Sequence, residues 1–200
     1  MHKYEVEISE TVYKYKNAIS SNNMNSYKYV LGLSIILINP NYKIISFYQI
    51  ADKVIDIYFN NIIVNGLVEQ KDNNMIALRD IKEYIDQNNI IESKLSKKDK
   101  NLLIEKLVEN KNDGFFKYVL PCFTGAKKNE KGRYIYPLDG ENEFFSYDID
   151  KKEIVLSDEF LGCLQKDYFL LKFITIEEYA KYLKKKNNDK DVKYILSKLL

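Results

Sequence analysis

The stretch Tyr27–Ile38, YKYVLGLSIILI, limits the architecture more than any other part of this chain. It is apolar on nearly every side. A helix of this kind has no face to give to water, so it belongs at the centre of a fold with other elements packed around it. Ser26 is placed to cap it, and Asn39-Pro40-Asn41 breaks it. The longest apolar run, Tyr29–Ile38, is interrupted by Gly32 and Ser34 and is too short to span a bilayer.

A packing partner follows directly. Ser46 is a second N-cap candidate, and Phe47, Ile50, Ala51, Val54, Ile55, Tyr58, Ile62 and Ile63 recur at helical spacing. Gln49, Asp52, Lys53, Asp56 and Asn60 fall on the opposite face, and Asn65-Gly66 ends the segment. Matching apolar faces predict that Leu33, Ile36, Val54, Ile55 and Tyr58 share one core. Two more helices are predicted over 76–87 and 96–109, the second with Leu102, Leu103, Leu107 and Val108 inward. Ahead of the central run, HKYEVEI alternates as a short strand, Ser9 onward can begin a helix, and Ser21–Asn25 reads as a polar linker.

Beyond Gly114 the period changes. FFKYVLPCF, RYIYPL, EFFSYDI and KEIVL are short and rich in aromatic or β-branched residues. Thr124-Gly125, Asp139-Gly140 and Asp150-Lys151-Lys152 supply turns between them, so a small antiparallel sheet is predicted, with EFFSYDIDKKEIVL as one hairpin. Ser157 opens a helix to about 171, Thr175 another to about 186, and Asp189 a third to the end. The expected fold is α+β and predominantly helical. Residues 1–114 form a helical part, and residues 115–200 a small sheet with C-terminal helices, the whole packed as one unit.

Several chemistries are excluded by what is missing. The only histidine is His2, so Ser-His-Asp and Cys-His catalysis and histidine-rich metal sites have no residues to use. The cysteines, Cys122 and Cys163, stand far apart in apolar segments, which fits core thiols in a reducing, cytoplasmic setting. The opening MHKYEVEISE lacks the basic and apolar regions of a signal peptide. No glycine-rich phosphate loop occurs, and no cofactor is implied. One constellation points to an enzyme. Asp139…Asp150-Lys151-Lys152 fits the loose D…(D/E)xK pattern in which two carboxylates hold Mg2+ and a lysine, here Lys152, helps activate water. Both aspartates also suit turns.

With 31 basic and 29 acidic residues, the net charge is only +2, so no global field draws the protein to nucleic acid and any such surface must be local. Two basic stretches carry aromatics. One is Lys127, Lys128, Lys131 and Arg133, preceded by Lys117 and running into Tyr134 and Tyr136. The other is Lys184, Lys185 and Lys186, near Tyr182 and Tyr194. Lysines contact phosphates, and tyrosines can stack on bases. Lys, Asn, Ile and Tyr are abundant and Trp is absent, a composition that an AT-rich genome produces by codon bias, so lysine runs also have a neutral explanation. The Ser26–Gly66 unit matches the opening of helix-turn-helix modules and, equally, any helical hairpin.

NSYKYVLGLSIILI followed by ISFYQIADKVIDIYF resembles the opening of bacterial proteins that carry an HNH endonuclease module at their C-terminus. The later block, FFKYVLPCF, RYIYPL and KEIVLSDEFLGCLQKDYFLLKFITIEEYAKYLKKKN, is similar to the segment that precedes the nuclease there. The similarity touches most of residues 26–187 and runs through apolar spacing. Tyr58-Phe59 stands where that family carries an aromatic pair with Trp, and the HNH histidines have no counterparts. The resemblance therefore implies a non-catalytic recognition module of a restriction or phage-defence protein. It would bind DNA and work with an HNH nuclease partner or with an HNH module outside this chain. A metal-dependent nuclease and a protein-assembly domain are the alternatives.

Overall fold

The computed structural model describes residues 9–21, 25–69, 75–90, 94–110, 114–125 and 127–199. His2 and the HKYEVEI strand expectation lie outside the described residues, as does most of the polar linker. Among the described residues the chain is a predominantly helical α+β fold with one four-stranded antiparallel sheet. No described helix is long and apolar enough to cross a membrane.

The central helix is α2, Tyr27–Ile38, and its first ten residues are all buried. It is surrounded by α1 (Glu10–Ser20), α3 (Phe47–Phe59), α6 (Phe115–Cys122) and α8 (Tyr168–Lys186). Gly32 is what lets α1 cross so closely. A Cβ there would meet the Tyr15 hydroxyl at 2.6 Å and Ile19 Cδ1 at 3.1 Å. Leu33, Ile36, Val54, Ile55 and Tyr58 are all buried in the shared core. Each such side chain contributes about 1.5–3 kcal/mol by leaving water.

Serine caps set four helix starts, but the expected cap Ser26 does not bond the first turn of α2: its hydroxyl meets the Tyr58 hydroxyl at 3.1 Å. Ser9, Ser46, Ser96 and Ser157 each accept from a backbone N–H of the following turn. Ser46 forms a full capping box with Gln49. The helices α4 (Ile76–Gln87) and α5 (Lys97–Glu109) fall where hydrophobic spacing places them, although Leu102 is exposed. After α3 the chain widens into a π-helical turn, Asn60–Val64, in which Asn65 N–H donates to Asn60 O at 3.0 Å.

The sheet order is β1-β4-β3-β2, with β1 at Ile44–Ser46, β2 at Asp139–Glu141, β3 at Phe145–Asp148 and β4 at Glu153–Leu156. The β3–β4 hairpin is as expected, with Tyr147 opposite Ile154. The outer strands differ from expectation. β1 comes from the helical half and pairs with β4, Ile45 opposite Ile154. On the other side, Asp139-Gly140 forms strand β2 and not a turn. RYIYPL makes only the bridge Lys128–Tyr134, and its Pro137 has no N–H to give a ladder.

FFKYVLPCF is helical, not extended. Phe115, Phe116, Val119 and Leu120 form one buried helical face, and the Phe116 ring stacks on Phe47 at 4.0 Å. Cys122 therefore ends a helix, with Pro121 in its last turn. The C-terminal break also moves. α7 is Asp158–Lys166, and α8 runs unbroken through Thr175. That residue does not cap. Its buried hydroxyl donates to Leu171 O at 2.8 Å and meets the Tyr15 hydroxyl at 2.8 Å. The last helix is α9, Val192–Leu199.

Candidate nucleic-acid interface

Residues 127–136 fold back on themselves as a short arm. Lys128 and Tyr134 pair across it, and Ile135 N–H donates to Lys127 O at 3.0 Å. Asn129 builds the bend. Its side-chain oxygen accepts from the N–H groups of Lys131 and Arg133, both at 3.0 Å, and its own N–H donates to Arg133 O. Gly132 supplies the positive φ of 73° that the bend needs. An asparagine that bonds its own backbone two residues on is a local device, and it fixes the arm without help from the core.

Lys127, Lys128, Lys131 and Arg133 are all exposed on this arm. Some lysines elsewhere are neutralised by neighbours: Lys14 by Glu10, Lys43 by Asp158, Lys100 by Asp52 and Asp56, Lys151 by Asp148, Lys152 by Glu109, Lys181 by Glu177 and Glu178. None of the four arm cations enters an ion pair among the described residues. Aromatic rings run beside them. Lys128 Nζ lies 4.9 Å from the Tyr134 ring centre, and the Tyr136 ring meets Tyr118 edge-on at 5.0 Å.

The second basic stretch has a different fate. Lys184 Nζ donates to Asn188 O and Lys190 O, closing the C-terminal end of α8. Lys186 lies over the Tyr182 ring at 5.5 Å, and Lys190 Nζ donates to Gly66 O at 2.8 Å. Only Lys185 of the three expected phosphate contacts is fully on the surface.

The helix-turn-helix unit presents no basic face. The polar side of α3 carries Asp52 and Asp56, and Lys100 of α5 clamps both, at 2.6 and 2.8 Å. The residues of the nuclease alternative are also placed. Across β2 and β3, Asp139 faces Asp148, while Asp150 sits in the exposed β3–β4 turn. Lys152, with a φ of 57°, is held by Glu109 and lies over the Tyr48 ring. Its hydrogen bond to Glu109 raises its pKa above the ordinary lysine value. Among the described residues no group of three or more His, Cys, Asp or Glu could hold a metal ion. The Cys163 thiol is pushed up to about 11 by burial, which suits a core thiol better than a nucleophile.

One polar site has no counterpart in the sequence reading. Glu69 is fully buried behind the π-helical turn. Its Oε1 accepts from Asn61 Nδ2 at 2.9 Å and from the Tyr179 hydroxyl, and the Tyr182 hydroxyl donates to its backbone oxygen at 3.0 Å. Oε2 has no partner among the described residues. Burial raises the carboxyl's pKa against the hydrogen bonds that oppose it. Next to it, Asn187 accepts from Val68 N–H at 2.8 Å and donates to Val68 O at 2.9 Å. No pattern in the sequence marks Glu69, because an acid after a helix end usually faces water.

Comparison of the chain with known protein families, with curated proteins and with solved structures found no match.

Proposed function

We propose that the chain is a nucleic-acid recognition module, non-catalytic by itself, that binds DNA through the arm and works with a nuclease in restriction or phage defence. The observation that supports this reading is the arm itself. Four exposed cations sit on a locally fixed hairpin, without ion-pair partners among the described residues. Uncompensated positive charge on an exposed hairpin is what a phosphate backbone needs to displace its counterions. The resemblance to HNH proteins supplies the setting, and an HNH nuclease is the partner it suggests.

The test is the salt dependence of binding to a generic duplex between about 50 and 200 mM salt, where each neutralised phosphate adds about 0.9 to the log–log slope. Changing Lys127, Lys128 and Lys131 to alanine should flatten the slope by about two to three units with the fold intact. A correctly folded protein that binds no DNA at low salt would leave an assembly domain as the better account.

A further inference from the structure

We infer that the arm is built for single-stranded nucleic acid, whose unpaired bases stack on its tyrosines while its phosphates meet the lysines. The inference rests on the nucleic-acid reading above and names the substrate class for the same surface.

The argument starts from exposed apolar area. Tyr134 and Ile135 are each 41% exposed, and Leu138 beyond them is 50% exposed. Against a duplex this area is wasted, because the outside of a duplex presents phosphates and sugars and hides the base faces. Against an unpaired strand it is useful, because every base offers a π-face that stacks on an aromatic ring regardless of sequence. The rings are also arranged in order. Lys117 Nζ lies 5.8 Å from the Tyr118 ring, Tyr118 meets Tyr136 at 5.0 Å, Tyr136 meets Tyr134 at 6.4 Å, and Lys128 Nζ lies 4.9 Å from Tyr134. The path thus runs cation, three rings, cation, with Lys131 and Arg133 at the bend. Interleaved charge and rings let one strand engage both of its chemistries at once. The polar side of α3 offers no comparable basic face for a major groove, since Asp52 and Asp56 lie on it and are clamped by Lys100 of α5. The Asn129 bend holds the arm before any ligand arrives, so little ordering cost remains on binding.

The experiment uses the absence of tryptophan. In the full chain, Tyr134→Trp creates the sole indole, whose fluorescence reports stacking directly. The probes are oligo(dT), oligo(U) and a mixed-sequence duplex of equal length. The expected result is tighter binding to the single strands than to the duplex, with the indole quenched on saturation. Tyr134→Ala should weaken oligo(dT) binding by about 5- to 100-fold, and Tyr134→Phe should restore it. A preference between oligo(dT) and oligo(U) identifies DNA or RNA as the strand. Duplex binding as tight as single-strand binding, with no quenching and no effect of Tyr134→Ala, overturns the inference. If the triple lysine variant still weakens that duplex binding, the recognition-module reading survives. If the folded protein binds none of the three probes, both readings fall together.

Discussion

The arm and the end of α8 are both lysine-rich stretches beside tyrosines, and the fold uses them in opposite ways. At the end of α8, Lys184 and Lys190 donate to backbone carbonyls, and Lys186 covers a ring. These cations hold the turn that follows α8 and tie it to the strap Gly66–Glu69. On the arm, Lys127, Lys128, Lys131 and Arg133 satisfy no carbonyl with their side chains and neutralise no described acid. The difference lies in what surrounds each run. Beyond α8 the carbonyls of Asn188, Lys190 and Gly66 stand within reach of Lys184 and Lys190. On the arm the carbonyls of Lys127, Asn129 and Arg133 accept from the hairpin's own N–H groups, and the four cations are exposed.

The comparison can be broken by stability measurements, taken here from the largest expected effect to the smallest. Asn187→Ala removes both hydrogen bonds to Val68 and one to Leu183 O, and should cost about 2–4 kcal/mol in urea unfolding. A loss below about 0.5 kcal/mol would mean that the strap is not held by α8.

Glu69 gives the same region a pH signature. Its folded pKa is raised, so the native state keeps a proton that the unfolded chain releases. The stability is fully present below the usual value of 4.5 and declines as pH rises through the folded value. Glu69→Gln keeps the shape without the titration, and its unfolding midpoint should lose that decline above pH 4.5.

Lys184→Ala should cost about 0.5–1.5 kcal/mol through the lost carbonyl contacts. Changing Lys184, Lys185 and Lys186 together should flatten the DNA salt slope by no more than about one unit, against two to three for the arm. Equal flattening by both triple variants would show that the C-terminal lysines also reach phosphate. The smallest stability effect belongs to the arm. Its triple lysine variant should unfold within about 0.5 kcal/mol of the unaltered protein, as surface changes away from structural contacts do.

Much of the helical frame was legible because its signals are local. The buried run Tyr27–Ile38, the capping serines and the spacing from Phe47 to Tyr58 each act within a turn or two of chain. The sheet was legible only where two strands are neighbours in sequence. Strand β1 has three residues, and its partner β4 lies in the other half of the chain, so nothing near Ile44 announces it. FFKYVLPCF has strand-like composition, yet Tyr27 and Phe47 offer its rings a helical seat. Tertiary packing overrode propensity there. At the arm, the residues were legible but their freedom was not. The sequence shows lysines near tyrosines in both stretches, and only the three-dimensional neighbours separate a capping lysine from an outward one.

The pairing of β1 with β4 has a consequence for how the chain reaches this structure. Ile45 and Ile154 are roughly a hundred residues apart, and closing a loop of that length carries an entropic cost that local helix formation does not. As the chain emerges from a ribosome, α2 and α3 can form and dock while β1 still lacks its partner β4. The sheet must therefore be completed late, after synthesis has passed β4, and contacts of such long range slow folding. Until then β1 and the inner edge of β4 are open to other strands, which makes this junction the place where misassembly between nascent chains is expected first.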